Sequence, residues 1–107
     1  RVVPIHSKIR PLVESRLAEG GPRLISYNGR VCSQTQYRVF WADIMKALGM
    51  NHTPHECRHT FETQLDSAGA NRKCIDLLMG HVSKDTGNRV YNHKTLDELK
   101  STVELIQ

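Results

Sequence analysis

Apolar residues recur at helical spacing, every three or four positions, in five segments of this 107-residue chain. Capping boxes beginning at Ser33, Thr53 and Thr95 start three of these segments, Ser7 starts the first, and glycines end four of them. The pattern predicts a mainly α-helical chain. The side chains expected to face inward are Ile9, Leu12, Val13 and Leu17; Tyr37, Phe40, Trp41, Ile44 and Leu48; Cys57, Phe61, Leu65 and Ala68; Ile75, Leu78 and Met79; and Leu96, Leu99, Val103 and Ile106.

Two short stretches outside the helices favour extended structure. Residues 1–5 predict a strand, with Pro4 suited to a strand end. Residues 23–31 predict a loop with one strand pair, placed at Leu24-Ile25, that turns at Asn28-Gly29. Residues 86–91 are expected to add one or two helical turns. The expected fold class is therefore mainly α with a small N-terminal β element.

Composition restricts the class of protein. The length allows one domain, and the net charge of +4 permits nucleic-acid binding without requiring it. Three cysteines without a framework spacing argue against a secreted disulfide scaffold, and no apolar run is long enough for a membrane span. A cytoplasmic protein without membrane contact is the expectation. The chain opens on Arg1-Val2-Val3-Pro4 without Met, and we expect it to be a piece of a longer protein.

The helix predicted from Thr53 carries the candidate chemistry. His55 and His59 lie opposite its apolar stripe, and Arg58 lies at the boundary between the two faces. One interpretation is the His-Glu-x-x-His signature of zinc peptidases, with His55 and His59 as ligands and Glu56 as general base. The longer metzincin form of that signature is not met, and the Arg58 charge would disfavour a metal cation.

A second interpretation rests on the order of four residues. His55-x-x-Arg58 is followed by Gly80-His81 and, ten residues later, by Tyr91. With the surrounding Arg58-His59-Thr60-Phe61 and Tyr91-Asn92-His93, this set resembles the catalytic motifs of the tyrosine recombinases, the phage integrase family. The resemblance spans roughly residues 53–93 and extends more loosely to residues 1–4.

The resemblance implies an integrase-like, DNA breaking-rejoining catalytic core that acts in site-specific recombination and integration. Tyr91 would be the nucleophile that forms a 3′-phosphotyrosine, while Arg58, His81 and His55 would bind the DNA phosphate, without metal or cofactor. The implied partners are double-stranded DNA and other recombinase protomers in a synaptic tetramer. A phage, a transposon or another mobile element, or a chromosome could be the source.

The resemblance is incomplete at the N-terminal side. The family's first Arg and its hairpin Lys have no counterpart in this sequence. Residues 1–107 are therefore expected to be the carboxy-terminal portion of a tyrosine recombinase catalytic domain, monomeric and inactive when isolated. The zinc peptidase, a type IB topoisomerase and a non-catalytic helical DNA-binding module remain the alternatives. We also expect the helix from Thr95 to dock on the rest of the chain.

Overall fold

The computed structural model describes residues 1–81 and 95–107, which are mainly helical with one small sheet. The elements are α1 (Arg10–Ala18), β1 (Ser26–Tyr27), β2 (Arg30–Val31), α2 (Gln34–Leu48), α3 (Pro54–Ser67), α4 (Arg72–Met79) and α5 (Leu96–Val103). The chain divides into two compact units, an N-terminal unit of residues 8–56 and a C-terminal unit of residues 1–7 and 57–107. The helical turns predicted at residues 86–91 fall outside the described residues.

The N-terminal unit combines α1, the two strands and α2. The strands form an antiparallel hairpin in which Tyr27 pairs with Arg30. Asn28 and Gly29 both have positive φ, at 51° and 73°, as a type I′ turn requires. The predicted turn is thus confirmed, whereas the strand predicted at Leu24-Ile25 begins later, at Ser26. The capping box of Ser33 and Gln36 begins α2, and Gly49 in the left-handed region ends it, both as predicted.

The C-terminal unit contains the main hydrophobic core. Leu65 of α3, three side chains of α4 and Val103 of α5 form one buried cluster. Leu65 and Ile75 are completely buried. The capping box of Thr95 and Glu98 begins α5, as predicted. The predicted docking of this helix is confirmed by Val103, which is only 3% exposed. The α4 members of the core are Ile75, Leu78 and Met79.

The predicted strand at residues 1–5 is wrong. A strand needs a neighbouring strand for its backbone hydrogen bonds, and in the described residues β1 and β2 pair only with each other. The predicted cap at Ser7 is also wrong, because α1 begins later, with Ile9 at its N-cap. The Ser7 backbone N–H and hydroxyl instead donate to the Glu104 carboxylate, at 2.8 and 2.7 Å.

Nine residues of the predicted inward stripes are exposed: Ile9, Leu12 and Leu17 at α1, Phe40, Ile44 and Leu48 on α2, Cys57 and Ala68 at α3, and Leu96 on α5. Ala68 lies just beyond the end of α3, and of the stripe predicted for this helix Phe61 and Leu65 reach the core. Leu96 of α5 is 58% exposed. A helical wheel gives the side on which apolar residues gather, but the packing of neighbouring helices decides how much of that side is covered. In the part of the chain that the structure describes, the covered positions are those of α4, the middle of α3 and the end of α5.

Candidate functional site

Arg58 is positioned by the first half of α3. Pro54 occupies the first helical position, where its missing N–H costs no hydrogen bond. Arg58 follows one turn later and is half-buried. Its guanidinium donates to the carbonyl oxygen of Met79, at the end of α4. Its Nη2 lies 3.2 Å from His81 Nε2. Arg58 therefore joins α3 to the end of α4.

His81 is positioned by the turn that ends α4. Gly80 has a φ of 73°, which a residue without a side chain adopts at little cost. The Gly80 N–H donates to Leu77 O at 3.2 Å and the His81 N–H donates to Asp76 O at 2.8 Å. These bonds pair two carbonyls that the helix itself leaves unbonded. The chain thus reverses at Gly80, and the His81 imidazole comes beside the Arg58 guanidinium.

The start of α4 is tied to α3 by ion pairs. Arg72 Nη2 donates to Glu62 Oε1 at 2.8 Å, and its Nε lies 3.1 Å from Asp76 Oδ1. The hydrogen bond that Arg72 donates to Glu62, followed by the charge of Asp76, raises the pKa of Arg72. Because the Arg72 side chain is 57% exposed, the pairs orient the two helices more than they stabilise them. Together with the hydrophobic core, these ion pairs fix the position of α3, which carries Arg58, relative to α4, which precedes His81.

A further cation, Arg1, reaches the same place. Its Nη1 donates to the Met79 carbonyl oxygen at 2.7 Å, although 78 residues separate the two along the chain. From the sequence, Arg1 was predicted only to start a strand, so this contact was not foreseen. No local pattern could have revealed it, because its partner is a backbone carbonyl far along the chain.

The three side chains make a strongly donating, positively charged surface. A guanidinium has five N–H donors in a planar fork that matches the oxygens of a phosphate, and a single contact to Met79 uses one of them. An imidazole adds one further donor, from whichever ring nitrogen carries the proton. Arg1, Arg58 and His81 thus suit a phosphate or another oxyanion.

Two further residues, His55 and Tyr91, were predicted for this site. His55 is exposed and lies in the first turn of α3, among residues that belong to the N-terminal unit. It stands three positions before Arg58, a spacing that makes side chains neighbours on a helix surface. Tyr91 lies outside the described residues.

The Glu56 carboxylate accepts hydrogen bonds from the residues just before α3. The Thr53 N–H donates to its carboxylate, and His52 Nδ1 lies 3.4 Å from its Oε1. The Thr53 backbone hydrogen bond, and after it the one from His52, lower the pKa of Glu56. A carboxylate whose pKa is lowered is a weaker base, which disfavours the role that a zinc peptidase would give it. In residues 1–81 and 95–107, no three His, Cys, Asp or Glu side chains form a cluster that could hold a metal.

No helix among the described residues is long and apolar enough to cross a bilayer.

Comparisons with known proteins place this chain in a family. The sequence profile of the phage integrase family matches residues 1–98. The chain is 32% identical over 107 residues to tyrosine recombinase XerC of Pelobacter propionicus, an alignment covering 92% of this chain and 35% of that protein.

Two further relatives are similar to a comparable extent. Tyrosine recombinase XerC of Staphylococcus haemolyticus is 31% identical over 110 residues, which cover 94% of this chain and 37% of that protein. Tyrosine recombinase XerA of Thermococcus kodakarensis is 31% identical over 111 residues, which cover 97% and 39%. The chain therefore spans between a third and two fifths of the length of these curated relatives. No solved structure matches it. The profile match and these identities show that the chain belongs to the phage integrase family of tyrosine recombinases.

Proposed function

We propose that residues 1–107 form the carboxy-terminal portion of a tyrosine recombinase catalytic domain, which cleaves and rejoins double-stranded DNA in site-specific recombination or integration. The observation that carries this proposal is the meeting of Arg58 and His81 at the end of α4, with 3.2 Å between Nη2 and Nε2. Two residues 23 positions apart in the sequence converge on one place, and both suit a phosphodiester. Family membership supports the reaction class.

In the proposed reaction, the Tyr91 phenolate oxygen attacks the scissile phosphorus. The new P–O bond is a 3′-phosphotyrosine link, and the bond from phosphorus to the 5′-oxygen breaks. A 5′-hydroxyl attacking the same phosphorus reverses the step and reseals a strand. The energy of the phosphodiester is retained in the protein–DNA link, so neither a nucleotide cofactor nor a metal is needed.

Each residue of the proposed site has a distinct role. Arg58 donates to the non-bridging phosphate oxygens, where charge concentrates in the transition state. His81 donates a further hydrogen bond to the same phosphate. His55 accepts the phenol proton, which is needed because a tyrosine has an ordinary pKa near ~10. The leaving 5′-oxygen also needs a proton. The family resemblance implies that a hairpin Lys donates it, and this sequence has no counterpart of that Lys.

The proposed partners follow from this chemistry. Double-stranded DNA is the substrate, and recombination between two duplexes requires several protomers, which we place in a synaptic tetramer. The net charge of +4 favours DNA but allows contact with only a few phosphates. We expect the chain by itself to be monomeric.

The test uses a longer recombinase that contains this chain, incubated with a nicked suicide duplex and examined on a denaturing gel. Tyr91→Phe should abolish the covalent protein–DNA adduct and leave DNA binding unchanged. Tyr37→Phe is the matched control, since Tyr37 lies on α2 and stacks on Trp41 with 6.4 Å between ring centroids. That variant should keep the adduct. An adduct that persists in Tyr91→Phe contradicts the proposed nucleophile.

The same assay separates the alternatives. A non-catalytic DNA-binding module gives no adduct from the unaltered protein, and a zinc peptidase gives none while losing its activity with chelator. Arg58→Lys supplies a finer comparison, because Lys keeps the charge and cannot donate as a planar fork. Adduct formation should fall by about 10²-fold or more in that variant.

A further inference from the structure

The carbonyl of Met79 receives two guanidinium donors, from Arg1 and from Arg58. It is the last carbonyl of α4, and the last four carbonyls of a helix have no partner within the helix. The turn at Gly80 pairs those of Asp76 and Leu77. The Met79 carbonyl depends on side chains instead, and cations are the favoured donors at a helix C-terminus.

The surroundings make this pairing necessary. Met79 is only 2% exposed and is part of the hydrophobic core. If the carbonyl oxygen at such a position loses its donor, it cannot be fully compensated by water, and the unpaired acceptor raises the free energy of the folded chain. If Arg58 were the single donor, turning its guanidinium toward a phosphate would leave the Met79 carbonyl unpaired.

We propose that Arg1 is a positioning residue of the phosphate site, which keeps the Met79 carbonyl bonded while Arg58 turns to the phosphate. The inference rests on the proposed function, because it assumes that Arg58 binds a phosphodiester. A carbonyl oxygen has two lone pairs and can accept from both guanidiniums at once. Those two like charges repel each other around a neutral oxygen, whereas an anionic phosphate oxygen is the stronger acceptor for Arg58.

Arg1 also supports the turn that carries His81. A β-carbon added at Gly80 would collide with Arg1 Nη1. The Arg1 side chain therefore lies directly across Gly80, the residue before His81. One guanidinium thus contacts the carbonyl that Arg58 uses and packs on the turn that directs His81.

The test is titration of the 107-residue chain with inorganic phosphate, followed by NMR of the Arg58 guanidinium and the His81 ring. The variants are Arg1→Met, which has no donor, and Arg1→Lys, which keeps one. Arg10→Met is the matched control, because it removes the same charge from an exposed side chain bonded to Glu14 at 2.7 Å. Each variant is titrated at low salt and at about 1 M salt, where the Debye length falls to about 3 Å.

Arg1→Met should weaken phosphate binding about tenfold or more at both salt concentrations, as expected for a buried acceptor left unpaired. Arg1→Lys and Arg10→Met should each stay within about threefold of the unaltered chain. Unchanged binding in Arg1→Met, or a loss confined to low salt, overturns the inference and leaves the proposed phosphate site intact. Absence of any phosphate effect on Arg58 in the unaltered chain overturns the proposed site and the inference together.

A measurement on the unaltered chain guards against misfolding of the variants. Phosphate should shift the Arg58 guanidinium signals and leave the Arg1 N–H that bonds Met79 protected from exchange. If Arg1 leaves the carbonyl when phosphate binds, the inference is wrong.

Discussion

Leu65→Ala should destabilise the C-terminal unit strongly. Leu65 is 0% exposed and belongs to the buried core cluster with residues of α4 and α5. Replacing a leucine in such a place by alanine removes three buried carbons and leaves a cavity that helices on two sides prevent from closing. The expected loss in free energy of unfolding is about 3–5 kcal/mol, a large part of the ~5–15 kcal/mol of a typical domain.

Leu96→Ala is the matched control. It makes the same chemical change on α5, at a side chain that is 58% exposed. A surface substitution of this kind should change the free energy of unfolding by about 0.5 kcal/mol or less, and alanine is itself a good helix former. The contrast between the two variants isolates the effect of burial.

Amide hydrogen exchange in α4 is the appropriate assay. Fluorescence of Trp41 reports on α2, which belongs to the N-terminal unit, and does not follow the core around Leu65. The α4 amides should exchange about 10²-fold to 10³-fold faster in Leu65→Ala and at nearly the original rate in Leu96→Ala. A loss below about 1 kcal/mol in Leu65→Ala, or equal losses in both variants, would refute this account of the core.

Four further predictions concern pH, DNA, metal and activity. The hydrogen bonds from Ser7 lower the pKa of Glu104 below its ordinary value of 4.5, so their contribution to stability should be complete above about pH 4.5 and fade as the pH falls through the lowered pKa. In the Glu104→Gln variant, the free energy of unfolding should fall less steeply as the pH is lowered. The 107-residue chain should bind duplex DNA weakly, with a log–log salt slope no steeper than about −4 in fluorescence anisotropy, and sequence-specific nanomolar binding would contradict this. Chelator should leave its melting temperature unchanged, and elemental analysis should find no stoichiometric zinc. The chain should form no covalent adduct with a nicked suicide duplex, whereas a longer protein that supplies the upstream Arg and the hairpin Lys should form one.

The helix boundaries could be predicted because their signals are local. Ser33 and Thr95 bond to residues three positions away, and Gly49 and Gly80 end helices through their own backbone angles. Ser7 shows the limit of this reasoning. Its sequence context suits a helix cap, yet its donors bond to Glu104, 97 residues away.

The inward faces of the helices were predicted only in part. The wheel for α5 placed Leu96 inside, whereas the side chain buried beside Val103 is that of Thr102. Thr102 can be buried because its hydroxyl donates to the Glu98 carbonyl of its own helix, at 2.8 Å. Apolar spacing therefore misses a polar residue whose hydrogen bond is satisfied within the helix.

The candidate site likewise contains residues that the sequence predicted and residues that it did not. Arg58 and His81 could be selected from the sequence because their side chains carry the chemistry and stand in a recognisable order. The contribution of Met79 is a backbone carbonyl, which any residue at that position would supply, so no choice of amino acid marks it. Its signal is indirect: Gly80 ends the helix there, and a carbonyl at a helix end needs an outside donor. Once the fold shows which cations reach that carbonyl, Arg1 enters the site beside Arg58, although the sequence places it 57 residues before that arginine.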